Sequence, residues 1–349
     1  MTEHLYIHIP FCSNICLYCD FPRLKTNNQD LIKKYLDKLI FNLKSTSIKN
    51  QYKTIYIGGG TPNYLNEIDL NYLLSNLKEY LNENEYEFTI ELNPELVTEE
   101  QVIVLAKNKI NRISIGVQTF NTNILKKMNR NHDKDNVINA INFLIKSNIK
   151  NISLDFIYGF NDLKNKDLDE SFNFISKYGI KHVSFYALEV KTNSILNKQK
   201  YRISEELIED QLMYIQDNLK ELKYQRYEVS NWTTNLKYQS EHNKAYWLSN
   251  DWKAIGYGSS GFENRNVYEN SKNFDSEYLT FEKISIKDYY FQILMMGLRL
   301  NSGIDLNIEK NKKAYEMYEK KITNCQIKNN MLFCNNPNLL NDILINLLD

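Results

Sequence analysis

Short apolar runs alternate along the chain with longer polar segments in which apolar residues recur at helical spacing. Six runs rich in Ile, Val, Tyr and Phe predict β-strands at 5–9, 54–58, 86–91, 112–117, 151–156 and 182–186. Two of the intervening helical periods are Leu31, Tyr35, Leu36, Leu39, Leu43 and Leu70, Leu73, Leu74, Leu77, Leu81. Strands that alternate with helices predict a parallel sheet, because each parallel pair needs a crossover. Right-handed crossovers repeated in one direction curl such a sheet toward a barrel.

Past residue 200 this rhythm changes. Ser204 precedes a predicted helix of about 17 residues, with Glu205 and Glu206 near the positive end of the helix dipole. An aromatic-rich stretch follows, and then a predicted helix over 286–300. We therefore predict an α/β protein with a partial (β/α)6 TIM-like barrel at 1–200, a barrel-completing region at 201–285 and a small C-terminal α/β module at 286–349.

Charge and hydropathy narrow the class of protein. Of 349 residues, 43 are Lys or Arg and 43 are Asp or Glu, so the formal net charge is zero. This balance argues against a nucleic-acid partner, which would favour a basic surface. No charge-free apolar run of about 18 residues occurs, so no transmembrane segment is predicted. The start of the chain carries no secretory signal pattern, and we expect a cytoplasmic protein.

Three of the five cysteines form a C-x3-C-x2-C run directly after the first predicted strand: Cys12, Cys16 and Cys19. An odd cysteine count with such clustering favours a reduced metal site over a disulfide framework. Three thiolates satisfy three irons of a [4Fe–4S] cube and leave the fourth iron open to bind another molecule. A zinc site completed by a histidine or a distant cysteine is the alternative, although no second C-x2-C pair exists.

Other motifs follow the cysteines in order, each at the end of a predicted strand. They are Gly58-Gly59-Gly60-Thr61-Pro62, Glu91-Leu92-Asn93-Pro94 and the run from Arg112 to Gln118. Together with Tyr6–Cys12 and Cys19-Asp20-Phe21, they resemble the radical S-adenosylmethionine (SAM) superfamily, and more closely its anaerobic coproporphyrinogen III oxidase family. The resemblance covers almost the whole chain. It implies a [4Fe–4S] cluster and SAM as cofactors, with reductive cleavage of SAM to methionine and a 5′-deoxyadenosyl radical.

The resemblance also assigns residues at the strand ends, where a β/α barrel forms its active site. Cluster ligands are implied for Cys12, Cys16 and Cys19. Contacts with the cluster-bound SAM are implied for Tyr6, Gly59 and Glu91. A second SAM or nearby ligand is implied for Tyr18, Gly60, Thr61, Gln118, Arg130 and Asp155. Ala187, after the sixth strand, completes the predicted cofactor-binding set.

Elementary chemistry suits several of these assignments. The glycine triplet lets a ligand approach the backbone closely. Glu91 and Asp155 can accept hydrogen bonds from ribose hydroxyls or an ammonium group, or they can be solvated. Arg130 can pair with a carboxylate in a bidentate fork, or it can lie at the surface.

Two departures from the oxidase pattern point to another branch. The oxidase motif continues C-x3-C-x2-C-x-C, whereas this chain has Phe21 at the last position. The oxidases also carry an N-terminal extension over the substrate, and only five residues precede Tyr6, so we expect no such lid. Both features resemble HemW, the haem chaperone branch of the family. The run from His242 to Trp247 fits an H-N-x-x-Y-W motif of that branch.

An imidazole beside flat rings suits haem, so His242, Tyr246 and Trp247 are candidate haem residues, and a packed histidine is the alternative. The resemblance implies a chaperone that binds haem as cargo and passes it to an acceptor protein. The acceptor and the electron donor are not identified by the sequence. Alternatives are oxygen-independent coproporphyrinogen III oxidase, which decarboxylates propionates, and radical SAM chemistry on an unrelated substrate.

Three further residue types have simpler expectations. Cys325 and Cys334 are expected to be buried free thiols. His4 is expected at the surface, and His182 in the packing of a strand.

Overall fold

The computed structural model describes residues 2–274, 279–336 and 340–348. The strands are β1 (His4–Ile9), β2 (Phe11–Cys12), β3 (Leu24–Lys25), β4 (Thr54–Gly59), β5 (Glu87–Leu92), β6 (Arg112–Gln118), β7 (Asn151–Tyr158), β8 (His182–Ala187), β9 (Gln225–Arg226), β10 (Asn231–Thr233), β11 (Trp252–Ile255), β12 (Ser260–Glu263), β13 (Asn266–Asn270), β14 (Leu279–Lys283), β15 (Ile304–Asp305), β16 (Cys325–Lys328) and β17 (Met331–Cys334). The helices are α1 (Gln29–Thr46), α2 (Glu67–Leu77), α3 (Glu99–Lys107), α4 (Thr122–Lys127), α5 (Lys134–Lys146), α6 (Asn165–Lys177), α7 (Ile195–Lys198), α8 (Glu205–Glu221), α9 (Glu241–Trp247), α10 (Ile286–Gly297), α11 (Glu309–Tyr318) and α12 (Leu340–Leu348).

The six strands predicted from the apolar runs are confirmed as β1 and β4 to β8. They pair in parallel in the order β1-β4-β5-β6-β7-β8, with helices in the crossovers. Strand β11 pairs in parallel with the free edge of β1, and β10 pairs antiparallel with β8. In the described part of the chain β1 and β8 do not pair with each other. The sheet is therefore a partial β/α barrel, as predicted.

The predicted helices are confirmed with small differences at their ends. Helix α8 begins after Ser204, whose hydroxyl accepts a hydrogen bond from the Leu207 N–H at 3.2 Å. Helix α2 ends at Leu77, and a single 3₁₀ turn follows before the buried Leu81. Helix α10 ends at Gly297 instead of residue 300. The predicted ends lie beyond the observed ones because the apolar spacing continues into a tighter turn after each helix, where the chain is no longer α-helical.

Side chains of the barrel strands alternate between an apolar outer face and a polar inner face. On β1, Leu5, Ile7 and Ile9 are fully buried in the core under the helices. Their neighbours His4, Tyr6 and His8 point the other way, since successive side chains of a strand face opposite sides. The same phase recurs on the other barrel strands, as in Ser114 and Ser184, whose neighbours are apolar and buried. Barrels of this kind usually fill their interior with branched apolar residues, so a polar interior marks this barrel as a place for polar ligands.

Helix α9 closes the end of the barrel at which the strands begin. The carboxylate of Glu87, the first residue of β5, accepts hydrogen bonds from the backbone N–H groups of Glu241 and His242, at 2.9 and 3.0 Å. The Lys310 ammonium donates to the carbonyls of Leu248 and Ser249, just past the end of the same helix. Both ends of α9 are thus held by residues from distant parts of the chain.

A second apolar cluster lies beyond residue 286. It is built from α10, α11, α12 and a sheet of order β15-β17-β16, and its buried members include Leu294, Ile304 and Leu332. The predicted domain limits at 200 and 285 stay a prediction. Cys325 and Cys334 pair across β16 and β17 and are half-buried, not buried as expected. No helix among the described residues is long and apolar enough to cross a membrane.

Candidate cofactor site at the mouth of the barrel

The three clustered cysteines lie on one loop at the end of β1. The base of the loop is closed by β2, which pairs in parallel with β3, and by a hydrogen bond from the Leu24 N–H to the Pro10 carbonyl at 2.7 Å. Burial raises the pKa of the Cys12 thiol and raises that of Cys19 to about 11. Phe21 follows the last cysteine and is 60% exposed. Burial therefore favours the neutral thiol form of Cys12 and Cys19.

A second segment, residues 128–130, holds this loop from outside. The Asn129 amide donates to the Asn14 side-chain oxygen at 3.0 Å and to the Ile15 carbonyl at 2.8 Å. In return, the Asn14 amide donates to the Asn129 carbonyl, and the Leu17 N–H donates to the Met128 carbonyl. The four hydrogen bonds fix the backbone on which Cys16 is carried.

Arg130 lies beside the cysteines, not at the surface. One terminal nitrogen is 3.8 Å from the Cys16 sulfur and 2.9 Å from the Asn93 side-chain oxygen, and the other donates to the Gly116 carbonyl at 2.7 Å. Its Nε has no partner among the described residues. A buried guanidinium here compensates negative charge on a thiolate or ligand. Tyr18 lies in the same corner, where it interacts with both Cys16 and Arg130.

The glycine triplet packs directly against the cysteine loop. A Cβ on Gly60 would lie 2.9 Å from the Cys12 sulfur, and one on Gly59 would lie 2.5 Å from the His8 ring. Gly59 also has a φ of +114°, which favours glycine. The Thr61 hydroxyl is 3.7 Å from the Cys12 sulfur. Only residues without a side chain allow the backbone after β4 to approach the cysteines this closely.

The Glu91 side chain lies close to Gly59 and Tyr6. One carboxylate oxygen accepts a hydrogen bond from the Tyr56 hydroxyl at 2.7 Å, and the other accepts from the Gly59 N–H at 3.3 Å. Tyr6 stacks on Tyr56, with ring centroids 6.2 Å apart. Burial raises the pKa of Glu91 to about 7, although the Tyr56 hydrogen bond opposes this rise. The structure therefore brings together the three residues predicted to contact the cluster-bound SAM.

Asp155 is surrounded by serine hydroxyls from three strands. Ser114, Ser184 and Ser153 donate to its carboxylate at 2.6, 2.8 and 3.0 Å. Burial raises the pKa of Asp155, and the three hydroxyls oppose this rise. The three hydrogen bonds fix the orientation of the Asp155 carboxylate. The charge of Asp155 also contributes to the raised pKa of Glu91, so the two carboxylates interact electrostatically within the barrel.

Gln118 and Ala187 lie at the same edge of the sheet. Gln118 has a φ of +64° at a β-bulge beside Gly116. A Cβ on Gly116 would lie 2.7 Å from the Gln118 amide nitrogen, so this side chain folds back over the strand. Bulges of this kind re-aim side chains next to functional sites. Ala187 pairs with Tyr158 at the end of β8.

The candidate haem residues lie in α9, at the end of the barrel where the strands begin. We call this end the floor of the barrel, and the opposite end, with the cysteine loop, its mouth. The His242 ring is 1% exposed, and its two nitrogens lie 2.7 Å from the Thr54 hydroxyl and 2.8 Å from the Tyr246 hydroxyl. Burial lowers the pKa of His242 to about 3. Trp247 packs under the Arg299 guanidinium. Both imidazole nitrogens are therefore engaged within the protein, and haem ligation by His242 stays a prediction.

The expectation that His4 lies at the surface is wrong. His4 is buried at the same floor, with its Nδ1 2.9 Å from the Thr54 hydroxyl. His182 is buried within its strand as expected, between Ser153 and Tyr227.

Five residues of the site and its support were missed by the sequence reasoning: Tyr56, Ser114, Ser153, Ser184 and Asn129. The first four are polar positions in strict alternation with apolar ones on β4, β6, β7 and β8. That alternation was available in the sequence, and it would have indicated the polar face of the barrel. Asn129 had no comparable signal, because its role depends on a contact between distant loops.

Comparison with known proteins agrees with this geometry. Residues 6–175 match the radical SAM superfamily. The chain is 34% identical to a protein named heme chaperone HemW from Lactococcus lactis, over 91% of this chain and 88% of that protein. The chain belongs to the HemW family. A second HemW, from Bacillus subtilis, is 32% identical over 74% of this chain and 70% of its own length.

A solved structure shares the fold of this HemW family member. Coproporphyrinogen III oxidase (HemN) from Escherichia coli, described as a radical SAM enzyme, superposes with a TM-score of 0.80. The match covers 99% of this chain and 89% of that one at 17% identity, so it supports the architecture alone. The predicted fold class, an α/β protein with a partial β/α barrel, is therefore confirmed, and so is the predicted membership of the HemW branch.

The radical SAM family implies a [4Fe–4S] cluster and bound SAM, and the residues present fit both. Three cysteines share one loop, a buried guanidinium faces one of them, and a cradle without Cβ atoms lies against another. Among the described residues no three His, Cys, Asp or Glu side chains are grouped closely enough to hold a single metal ion. A cube spaces its thiolates more widely than one ion does, because each thiolate binds a different iron.

Proposed function

We propose that this protein is a cytoplasmic haem chaperone of the HemW type. It carries a [4Fe–4S] cluster with SAM, binds haem as cargo and passes it to an acceptor protein. The observation that carries the proposal is the 34% identity to a named heme chaperone over 91% of the chain. Phe21 supports it, since the oxidase motif has a fourth cysteine at this position.

The mouth of the barrel supplies the residues for the cofactors. Cys12, Cys16 and Cys19 hold the cluster, and the cationic Arg130 offsets its negative charge. When bound, the cluster and SAM supply one-electron reductive cleavage of SAM. The protein itself orients SAM and excludes water.

In this proposal two sets of residues bind two different ligands. Tyr6, Gly59 and Glu91 contact the SAM next to the cluster. A second SAM or neighbouring ligand contacts Tyr18, Gly60, Thr61, Gln118, Arg130 and Asp155. Ala187 completes the cofactor-binding set. The polar inner face, with its oriented hydroxyls and carboxylates, supports a ligand rich in hydrogen-bonding groups.

An anaerobic assay with two probes tests the function. Reconstituted protein is titrated with haem and followed by its absorbance, and it is separately incubated with coproporphyrinogen III, SAM and a reductant. We expect saturable haem binding and no protoporphyrinogen. Failure to bind haem would overturn the chaperone assignment, and formation of protoporphyrinogen would establish the oxidase instead.

The cluster is tested by single cysteine variants. Cys16→Ala should lose the visible absorbance and most of the iron of a [4Fe–4S] cluster, because one iron loses its thiolate. Cys325→Ala is the matched control, since this thiol lies in the C-terminal module, away from the cysteine loop. A full iron content in Cys16→Ala would contradict the assignment of the loop.

A further inference from the structure

Tyr56 lies between the floor of the barrel and its mouth. Its ring stacks on Tyr6, at 6.2 Å between centroids and an interplanar angle of 27°. It also stacks on His242, at 5.1 Å and 25°. The Tyr56 ring is therefore held in one plane by two neighbours from different elements, β1 and α9.

The hydroxyl of that ring points at Glu91. It donates to one carboxylate oxygen at 2.7 Å, while the Gly59 N–H donates to the other at 3.3 Å. Both oxygens of Glu91 thus have a donor that fixes the direction of the carboxylate. A donor to a carboxylate favours its ionised form, which is the better acceptor for the donor groups of a cationic nucleoside.

The orientation of Tyr56 depends in turn on His242. The imidazole is pinned between the hydroxyls of Thr54 and Tyr246, at 2.7 and 2.8 Å, so its plane cannot rotate freely. A pinned ring offers a fixed surface for stacking. The H-N-x-x-Y-W segment is in this way connected to the carboxylate at the mouth of the barrel through Tyr56.

We infer that Tyr56 is a positioning residue for SAM binding: its hydroxyl orients the Glu91 carboxylate, and His242 supports the Tyr56 ring from the floor of the barrel. The inference rests on the SAM-binding part of the proposed function. It assigns the H-N-x-x-Y-W segment a role in the SAM site that does not require haem.

The pH dependence of SAM binding follows from the groups around Glu91. The pKa of Glu91 is raised to about 7, mainly by burial and also by Asp155, while the hydrogen bonds from Tyr56 and the Gly59 N–H oppose the rise. Tyr6 and Tyr246 also face this carboxylate, as uncharged phenols at neutral pH. SAM affinity should therefore be highest above pH 7 and fall as Glu91 is protonated. Loss of the Tyr56 hydroxyl should move this fall to higher pH.

Equilibrium dialysis of SAM against the reconstituted, cluster-containing protein between pH 6 and 9 tests the inference. Tyr56→Phe should bind SAM roughly tenfold more weakly at pH 7, about the loss of one hydrogen bond to a charged group. Its binding curve should also fall off at higher pH than that of the wild type. In a Glu91→Gln background the same substitution should have little further effect, because the partner through which Tyr56 acts is already neutral.

A matched control separates this role from a general loss of packing. The Tyr72 hydroxyl donates to the Asp37 carboxylate at 2.9 Å on the outside of the barrel, and Tyr72→Phe should leave SAM binding unchanged. An unchanged dissociation constant and pH profile in Tyr56→Phe would overturn the inference. No SAM binding by the wild type would overturn the proposed SAM site, and this inference with it.

The contribution of His242 has its own comparison. His242→Ala removes the ring that supports Tyr56 and should weaken SAM binding several-fold. His242→Phe keeps a flat ring and should recover most of the affinity, although it cannot bind iron. Equal affinity in the wild type and His242→Ala would contradict the supporting role.

Discussion

Asn129 adopts a backbone conformation that few residues tolerate, and it does so next to the cysteine loop. Its φ is +59°, in the left-handed region that asparagine enters more readily than most residues. In this conformation the side chain reaches back to Asn14 and Ile15. A single residue thus combines a tight turn after α4 with two of the hydrogen bonds that shape the loop.

Replacing Asn129 should loosen the hold on the cluster. Asn129→Ala loses both side-chain hydrogen bonds and strains the left-handed backbone, whereas Asn129→Gly loses only the hydrogen bonds. We expect faster iron release to a chelator in the order Ala, Gly, wild type, with the alanine variant several-fold faster than wild type. Release followed anaerobically by absorbance measures this order.

Asn148 offers the control for backbone strain. It has a φ of +62° at an exposed position after α5, so Asn148→Ala carries the strain without any effect on the cysteine loop. Iron release as fast in Asn148→Ala as in Asn129→Ala would show that the hydrogen bonds from Asn129 to the cysteine loop contribute nothing.

At the level of elements, α9 is the connection between the two ends of the barrel. It is only seven residues long, too short to be stable alone, and Glu87 binds its first backbone N–H groups from a neighbouring strand. The carboxylate also favours the positive end of the helix. Because His242 lies in the first turn, the position of its ring depends on this cap.

Removal of the cap charge should destabilise the fold measurably. Glu87→Gln keeps one carbonyl oxygen but loses the charge and one acceptor, which should lower the free energy of unfolding by about 1–3 kcal/mol. Urea unfolding followed by circular dichroism measures the change. Glu85→Gln, at an exposed position on the same segment, should change it by less than about 0.5 kcal/mol. Equal midpoints for the two variants would contradict the capping role.

For the whole molecule, local patterns in the sequence were sufficient to predict the barrel but not the contacts between its distant elements. Strands β1 and β4 to β8 were predicted because their outer faces are continuous in apolar residues such as Ile55 and Ile113. The cofactor loops were located because parallel strands end at one edge. Contacts between residues far apart in sequence were not predictable, as between Glu87 and α9, since no local period records them.

His242 illustrates the same limit in a residue with recognised chemistry. Its motif identified a family branch, but the motif says nothing about which partners the ring has. The hydrogen bonds to Thr54 and Tyr246 become visible only when strand β4 and helix α9 are placed together. A motif therefore located an important residue here without defining what the residue does.

The stability of the whole fold should depend on pH, because all five histidines are buried. Burial is the largest cause of a lowered pKa in each: to about 4 for His8 and His132, to about 3 for His242, and downward for His4 and His182. The unfolded chain has ordinary histidines that protonate near pH 6.5. Between about pH 6.5 and 4 the unfolded state thus binds more protons, so stability should fall as the pH falls.

Three buried carboxyls act in the opposite direction. Burial raises the pKa of Glu91, Asp155 and Glu228, so the folded state binds their protons first and gains stability as the pH falls. Five histidines outnumber these groups, and each net proton changes the free energy of unfolding by about 1.4 kcal/mol per pH unit. We expect the urea midpoint to decrease steadily from pH 7 to pH 5, with cluster absorbance followed in parallel.

Two variants test the two signs separately. His182→Gln should make the decrease shallower, because it removes a group that takes up a proton only on unfolding. Glu91→Gln should make the decrease steeper, because it removes a group that holds its proton more tightly in the folded state. A midpoint that stays level over this range would mean that the buried imidazoles gain protons without unfolding.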